Sequence, residues 1–191
     1  WNNYNIIGPI AVGDNTTYDY YGGKYSLKFT VTSVERAECG VSLSQSPEVN
    51  TKITIPNAEQ IKGMYFTVTS INDNAFYNCK YLTGIEIPNT VTTIGEYAFY
   101  GCSGLTGIEI PNNVTNIGNH TFSSCYGLTS IEIPNNVINI GNYAFYNCYN
   151  INNIVIPNSV TTIGIYAFYR CNIISIPNSV TSIGNNAFEK C

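Results

Sequence analysis

The sequence predicts a solenoid of six stacked turns, each contributing one short parallel strand, and three observations carry that expectation. Cys79, Cys102, Cys125, Cys148 and Cys171 fall 23 residues apart, and Cys191 follows 20 later. Pro88, Pro111, Pro134 and Pro157 keep the same step of 23, and Pro177 again follows by 20. From each of these prolines to the next cysteine is always 14 residues, so the last turn is shortened between Cys171 and Pro177. A unit this short cannot bury its own apolar side, whereas stacked copies bury one continuous core.

Each element of the unit follows from residue type. Ile108 and Ile110 alternate with Glu109, which reads as a strand with its glutamate outward. Pro111 closes that strand, because proline has no N–H for a ladder. Asn112 and its equivalents Asn57, Asn89, Asn135, Asn158 and Asn178 suit the turn that follows, where asparagine bonds its own backbone. Val114 and Ile117 re-enter the core. Next comes Gly95, Gly118, Gly141, Gly164 or Gly184, with Asn72 in the first unit. Glycine and asparagine are the residues that best tolerate positive φ, which predicts a left-handed position there. The Ala-Phe pair before each cysteine fits a compact helical or 3₁₀ turn, since six or seven residues are too few for a helix of average length.

An irregular first unit joins the series. Ile53-Thr54-Ile55-Pro56-Asn57 and then Val68, Ile71, Ala75, Phe76 and Cys79 match the pattern around an insertion at residues 58–67. The six turns thus occupy residues 53–191. Upstream, Tyr25, Leu27, Phe29 and Val31 alternate with Ser26, Lys28 and Thr30, the mark of a half-buried strand. Residues 24–52 read as a β-rich cap over the end of the core. Residues 1–23, rich in Asn, Tyr and Gly, read as an extended tail or an additional strand. The chain opens with neither methionine nor an apolar leader, as a mature or trimmed fragment would. Its last turn ends at Cys191 without a capping turn, as in a cut chain or one whose end a partner or second copy covers.

Composition excludes several functions. Of 191 residues only 10% are charged, against about 25% in ordinary domains. With 8 Lys and Arg against 12 Asp and Glu, the net charge is −4. That leaves no basic footprint for nucleic acid and no polybasic membrane patch. No apolar run is long enough to span a bilayer. Polarity resides instead in 27 asparagines, and the aliphatics are skewed to 26 Ile against 5 Leu, as a repeat would produce.

Four groups of residues are candidates for chemistry. The seven cysteines, Cys39 and one per turn, are odd in number and in parallel register, which suits buried small apolar side chains better than disulfides. No histidine or acid repeats beside them to complete a metal site. Glu86, Glu109 and Glu132 form an outward column continued by Val155 and Ser175, with Thr106 and Thr129 beside it. This column reads either as an acidic stripe for a basic partner or loosely held cation, or as a solvated face that resists aggregation. Tyr97, Tyr143 and Tyr166 make one row, with His120 in the fourth turn, and Tyr77, Tyr100, Tyr146 and Tyr169 make another, interrupted by Ser123. Tyr81, Tyr126 and Tyr149 lie near the turn after cysteine. Such rows either cover the core edge or bind protein or sugar. His120, the only histidine, occupies a tyrosine slot and has no nucleophile and base arranged around it. Asn15-Thr16-Thr17, Asn113-Val114-Thr115 and Asn119-His120-Thr121 match the glycosylation acceptor pattern, as chance supplies in so Asn- and Thr-rich a chain.

The residues Leu82, Ile85, Ile87, Pro88, Val91, Ile94, Gly95, Ala98, Phe99 and Cys102, with their copies from Ile53 to Cys191, resemble the BspA-like leucine-rich repeats, also called the Treponema pallidum type. The departures are Thr121 for alanine, Ser123 for a frequent tyrosine and the shortened last turn. The resemblance implies a leucine-rich repeat solenoid, a right-handed β/α superhelix with short parallel strands and 3₁₀ or irregular turns. It implies a secreted or cell-surface protein with no catalytic residue set and no cofactor. Its partner would be a protein, or a glycan, at a cell or host surface, held through a solenoid face. The alternative is a scaffold that associates through its ends without a dedicated ligand site.

Overall fold

A computed structural model describes residues 10–20, 25–152, 154–172 and 175–191. Most of the expected tail, residues 1–23, lies outside these, as do Ile173 and Ile174 of the shortened turn.

The N-terminal part is a mixed sheet. β1 (Asn15–Tyr20), β2 (Tyr25–Ser33) and β3 (Glu38–Gln45) pair antiparallel in sequence. The alternation in β2 works as read: Tyr25, Leu27, Phe29 and Val31 are all buried. After β4 (Thr51–Thr54), the insertion forms a hairpin of β5 (Ala58–Ile61) and β6 (Met64–Ile71). Its turn is Lys62-Gly63 with φ of 48° and 84°, the positive pair that a tight two-residue hairpin needs. β6 then pairs parallel to β3, and its end, Ser70 and Ile71, pairs parallel to β8 (Thr93–Ile94). The sheet that closes the N-terminal part therefore runs directly into the repeats.

Two columns of short strands climb the repeats. β4, β7 (Leu82–Glu86), β9 (Gly107–Glu109) and β11 (Ser130–Glu132) precede the prolines; β4–β7 is parallel with a register shift between Thr51 and Lys52, and β9–β11 is parallel and in register. β10 (Asn116–Ile117), β12 (Asn139–Ile140), β13 (Thr162–Ile163) and β14 (Ser182–Ile183) form the second, a four-stranded parallel sheet.

The expected β/α superhelix with 3₁₀ turns is not what forms. The described residues contain strands and turns but no helix, an all-β fold. The reason lies in the segment before each cysteine. Alternate N–H groups there leave the turn for carbonyls of the next one: His120 donates to Asn142, Phe122 to Ala144 and Ser124 to Tyr146, at 2.8–2.9 Å. An α-helix needs those donors for its own carbonyls. Two residues per segment also hold positive φ. One set is Asn74, Tyr97, His120, Tyr143, Tyr166 and Asn186; the other is Asn78, Gly101, Ser124, Asn147, Arg170 and Lys190. A helix cannot pass through left-handed residues.

The left-handed expectation for the repeated glycine is corrected by the same angles. None of Gly95, Gly118, Gly141, Gly164 or Gly184 has positive φ. At Gly95, Gly141, Gly164 and Gly184 glycine is needed because the preceding turn passes too close: a Cβ on Gly141 would lie 2.7 Å from the carbonyl carbon of Gly118 and 2.8 Å from the amide nitrogen of Asn119, whereas one on Gly118 would meet nothing nearer than 3.3 Å.

Phenylalanines run up the core as one stack. Phe76, Phe99, Phe122, Phe145, Phe168 and Phe188 lie 5.2–5.6 Å apart, with planes within 12°. The cysteines do more than fill space. Cys102, Cys125, Cys148, Cys171 and Cys191 each donate a thiol hydrogen bond of 3.0–3.1 Å to the phenylalanine carbonyl one turn back. All seven are unbridged, and only Cys191 is exposed. Burial pushes the thiols up: Cys39 and Cys79 to about 11 and Cys148 to about 12, from 9.0.

That shift fixes a pH dependence. Between pH 9 and 12 the unfolded chain loses thiol protons that the folded chain keeps, so stability is complete below pH 9 and falls as pH rises through the folded values. Urea midpoints are expected to drop from pH 8 to pH 10. Cys102, Cys125 and Cys148 should react with a thiol reagent only after denaturant is added; rapid native labelling of all three would contradict their burial.

Candidate functional site

The strand column before the prolines displays the expected glutamates. Ile85, Ile108 and Ile131 point inward and are buried, so Glu86, Glu109 and Glu132, their chain neighbours, point to solvent. Glu109 and Glu132 are register partners in adjacent strands, where spacing is about 4.8 Å. Glu86 pairs with Thr54, whose hydroxyl donates to Glu86 Oε2 at 2.9 Å.

The flanking threonines bond across turns. Thr83 Oγ1 donates to the Thr51 carbonyl, Thr106 Oγ1 to the Thr83 carbonyl and Thr129 Oγ1 to the Thr106 carbonyl, at 3.1–3.2 Å. Thr106 and Thr129 form a hydroxyl ladder that fixes the spacing of the turns. Asparagines serve similarly: Asn119 Oδ1 accepts the Asn142 N–H, Asn142 Oδ1 accepts the Ile165 N–H, and Asn139 Nδ2 donates to Asn116 Oδ1, at 2.7–2.8 Å. Part of the asparagine excess is thus cross-turn bonding, a role that spacing alone does not reveal.

Two depressions lie on this face. One of about 410 Å³ is lined by Ile108, Glu109, Ser130, Ile131, Glu132 and Asn152. The other, of about 400 Å³, adjoins it through Ile131 and Glu132 and is lined also by Ile133, Asn135, Val155 and Pro157. Lys52 lines a smaller hollow beside Glu86 and Glu109. The ion pair among the described residues is Lys62 to Asp14 at 2.9 Å, far from the column in sequence, and none reaches Glu109 or Glu132.

The aromatic rows occupy another part of each repeat. Tyr97, His120, Tyr143 and Tyr166 stack face to face at 4.5–5.3 Å. Tyr77 stacks on Tyr100 at 4.9 Å and Tyr146 on Tyr169 at 4.8 Å, with Ser123 between the two pairs. Tyr126 and Tyr149, both exposed, stack at 5.5 Å. Burial holds the His120 imidazole below its ordinary pKa, with Glu96 pulling the other way, and its Nδ1 is buried without a partner. Among the described residues no three of His, Cys, Asp and Glu gather to hold a metal ion, and no helix is long and apolar enough to cross a membrane.

No curated protein matches the chain. Among solved structures it is similar to a leucine rich cell surface protein from Faecalibacterium prausnitzii A2-165, at 30% identity and TM-score 0.66, over 92% of this chain and 52% of that one. The chain thus spans about half the length of that relative. It also shares its fold with the pneumococcal vaccine antigen PcpA, at 22% identity and TM-score 0.67, over 95% of this chain and 48% of that one. The leucine rich repeat protein of T. pallidum is 20% identical at TM-score 0.60, over 91% of this chain and 89% of that one. The pattern of the BspA type leucine rich repeat region matches residues 69–191 in six copies. With that match covering well over half of its length, the chain belongs to the BspA type leucine-rich repeat family.

Proposed function

We propose that this chain is a non-enzymatic recognition module of a secreted or surface-displayed bacterial protein, and that it binds a basic protein partner through the strand face centred on Glu109 and Glu132. The observation that carries the reading is the pair of adjoining depressions with apolar floors and acidic rims. Ile131, Ile133, Val155 and Pro157 offer surface to the aliphatic stem of a lysine or arginine, and Glu132 stands where its charged head would lie. Among the described residues no ion pair within the chain reaches Glu109 or Glu132, although Lys52 lines the hollow beside Glu109. The threonine ladder holds the face rigid before a partner arrives, which lowers the ordering cost of binding. The surface location of the Faecalibacterium relative supports the setting.

The test is Glu86→Gln, Glu109→Gln and Glu132→Gln combined, titrated with basic host-matrix proteins at two salt concentrations. Wild-type affinity is expected to fall with salt, and the triple variant to bind at least tenfold more weakly with less salt dependence. Its melting temperature should be unchanged or slightly higher, because like charges in register repel. Equal affinity for both proteins at both salts would place recognition elsewhere.

A further inference from the structure

Three hollows follow one another up the strand face. The smallest, about 190 Å³, reaches from Lys52 in the first turn to Glu109 in the third. It shares Ile108 and Glu109 with the hollow of about 410 Å³, which in turn shares Ile131 and Glu132 with that of about 400 Å³. The three form one trough along the stacking direction, crossing the strands. Its charge is sorted by height. Lys52, at the lower end, is the one basic residue that lines it. The Lys52 stem lies over Gly84, where an added Cβ would stand 3.4 Å from Lys52 Cγ and 3.6 Å from Lys52 Cε. One turn up, Gly107 is uncovered, with nothing nearer to an added Cβ than Ser130 Oγ at 3.6 Å. From residue 81 to residue 169 the chain has no Lys or Arg. Glu86 already accepts the Thr54 hydroxyl at 2.9 Å, which leaves Glu109 and Glu132 as the uncommitted carboxylates above Lys52.

We propose that this trough takes one extended segment of a partner polypeptide lengthwise and reads the order acidic-x-basic-x-basic along it. The inference rests on the strand-face reading and adds a register to it. Alternate side chains of an extended segment stand about 6.7 Å apart on one side, close to one and a half turns at about 4.8 Å each. A carboxylate beside the Lys52 ammonium, over Gly84 in the second turn, places the next inward side chain between the third and fourth turns. A cation there lies between Glu109 and Glu132, which are register partners. The side chain after that reaches the fifth turn. Val155, 64% exposed, and Pro157 receive its stem, and Glu132 receives its charged head. A helix does not fit in this way. With side chains it is about 10–12 Å across, whereas the outward positions of one strand, such as Gly107 and Glu109, are about 6.7 Å apart. A neutral glycan would meet none of the three charges with one of its own.

Two capped heptapeptides of identical composition and net charge test the register, Thr-Glu-Thr-Lys-Thr-Lys-Thr and Thr-Lys-Thr-Glu-Thr-Lys-Thr. The second keeps its acid in the middle whichever way it lies. Titrations at low salt follow the amide shifts of Gly107 and Val155 by NMR. The first peptide is expected to bind about threefold more tightly, because the second sets its acid between Glu109 and Glu132. Equal affinities, or no saturable shift with either peptide, overturn the proposal. Lys52→Glu, at an exposed side chain, is the exchange test. It should weaken the first peptide about threefold and tighten Thr-Lys-Thr-Lys-Thr-Lys-Thr by about as much. Changes in the same direction for both, as net charge alone would produce, also overturn it. The combined glutamine variant should bind all three peptides more weakly than wild type. If it binds them like wild type, the strand-face reading itself fails; if it loses affinity while wild type treats the two isomers alike, the register alone fails.

Discussion

Phe145→Ala is expected to destabilise the chain by about 3–5 kcal/mol, the largest effect of any single truncation considered. Phe145 is fully buried and lies between Phe122 at 5.4 Å and Phe168 at 5.2 Å. Removing it deletes two ring contacts and opens a cavity that neither neighbour can fill, because each is held by the ring beyond it. The Phe145 carbonyl also receives the Cys171 thiol, and its N–H donates to Ala167, so collapse around the cavity would disturb bonds to the next turn. Phe188→Ala should cost markedly less, since Phe188 is only half-buried and has Phe168 as its one ring contact. Urea denaturation of the two variants checks the gradient; equal losses would mean that the stack does not act as a continuous column.

Gly141→Ala is the second large effect, expected to cost at least about 1–3 kcal/mol through overpacking. The added methyl would meet the backbone of Gly118 and Asn119 at 2.7 and 2.8 Å, and backbone cannot swing aside as a side-chain tip can. Relief requires the two turns to separate, which strains the bond from the Gly141 N–H to the Ile117 carbonyl. Gly141→Asn should be no milder than alanine, because φ is not positive there and the left-handed tolerance of asparagine is irrelevant. Gly118→Ala is the control. Its nearest obstacles are Thr121 Oγ1 at 3.3 Å and the Glu96 Cα at 3.6 Å, so it should unfold close to wild type. If Gly141→Asn were clearly more stable than Gly141→Ala, dihedral preference and not close approach would govern the position.

These two positions show what could be read in advance. The inward set, from Ile108 and Val114 to Phe122 and Cys125, is buried through the first five turns, because burial on a repeating unit follows directly from apolar periodicity, whereas in the last turn Ile183 and Cys191 are exposed and Val180 and Phe188 half-buried. The outward glutamates are equally legible, as neighbours of inward isoleucines. The hairpin in the insertion was not legible, because Lys62-Gly63 is a weak turn signal beside Asn-Gly or Asp-Gly. Nor was the task of Thr106 and Thr129, whose hydroxyls turn to a carbonyl 23 residues earlier in the chain.

The sequence by itself determined the period, the number of residues per turn, which side chains enter the core in the first five turns, and the strands that end before Pro56, Pro88, Pro111 and Pro134; before Pro157 only an isolated bridge at Ile154 forms, and no strand is described before Pro177. A recurring residue type reports that a position is constrained, and a recurring apolar type also reports the constraint itself, which is removal from water. For glycine, cysteine and asparagine the constraint lies in the adjacent turn. Whether Gly141 answers a dihedral angle or an approaching backbone, and whether Cys148 merely fills space or bonds the Phe122 carbonyl, depends on where a neighbour stands. The tertiary structure decided these points, and it decided the absence of helix in the same way. In the first five turns alternate N–H groups of the Ala-Phe segment bond to carbonyls of the next turn, and the groups between them close short turns within the segment.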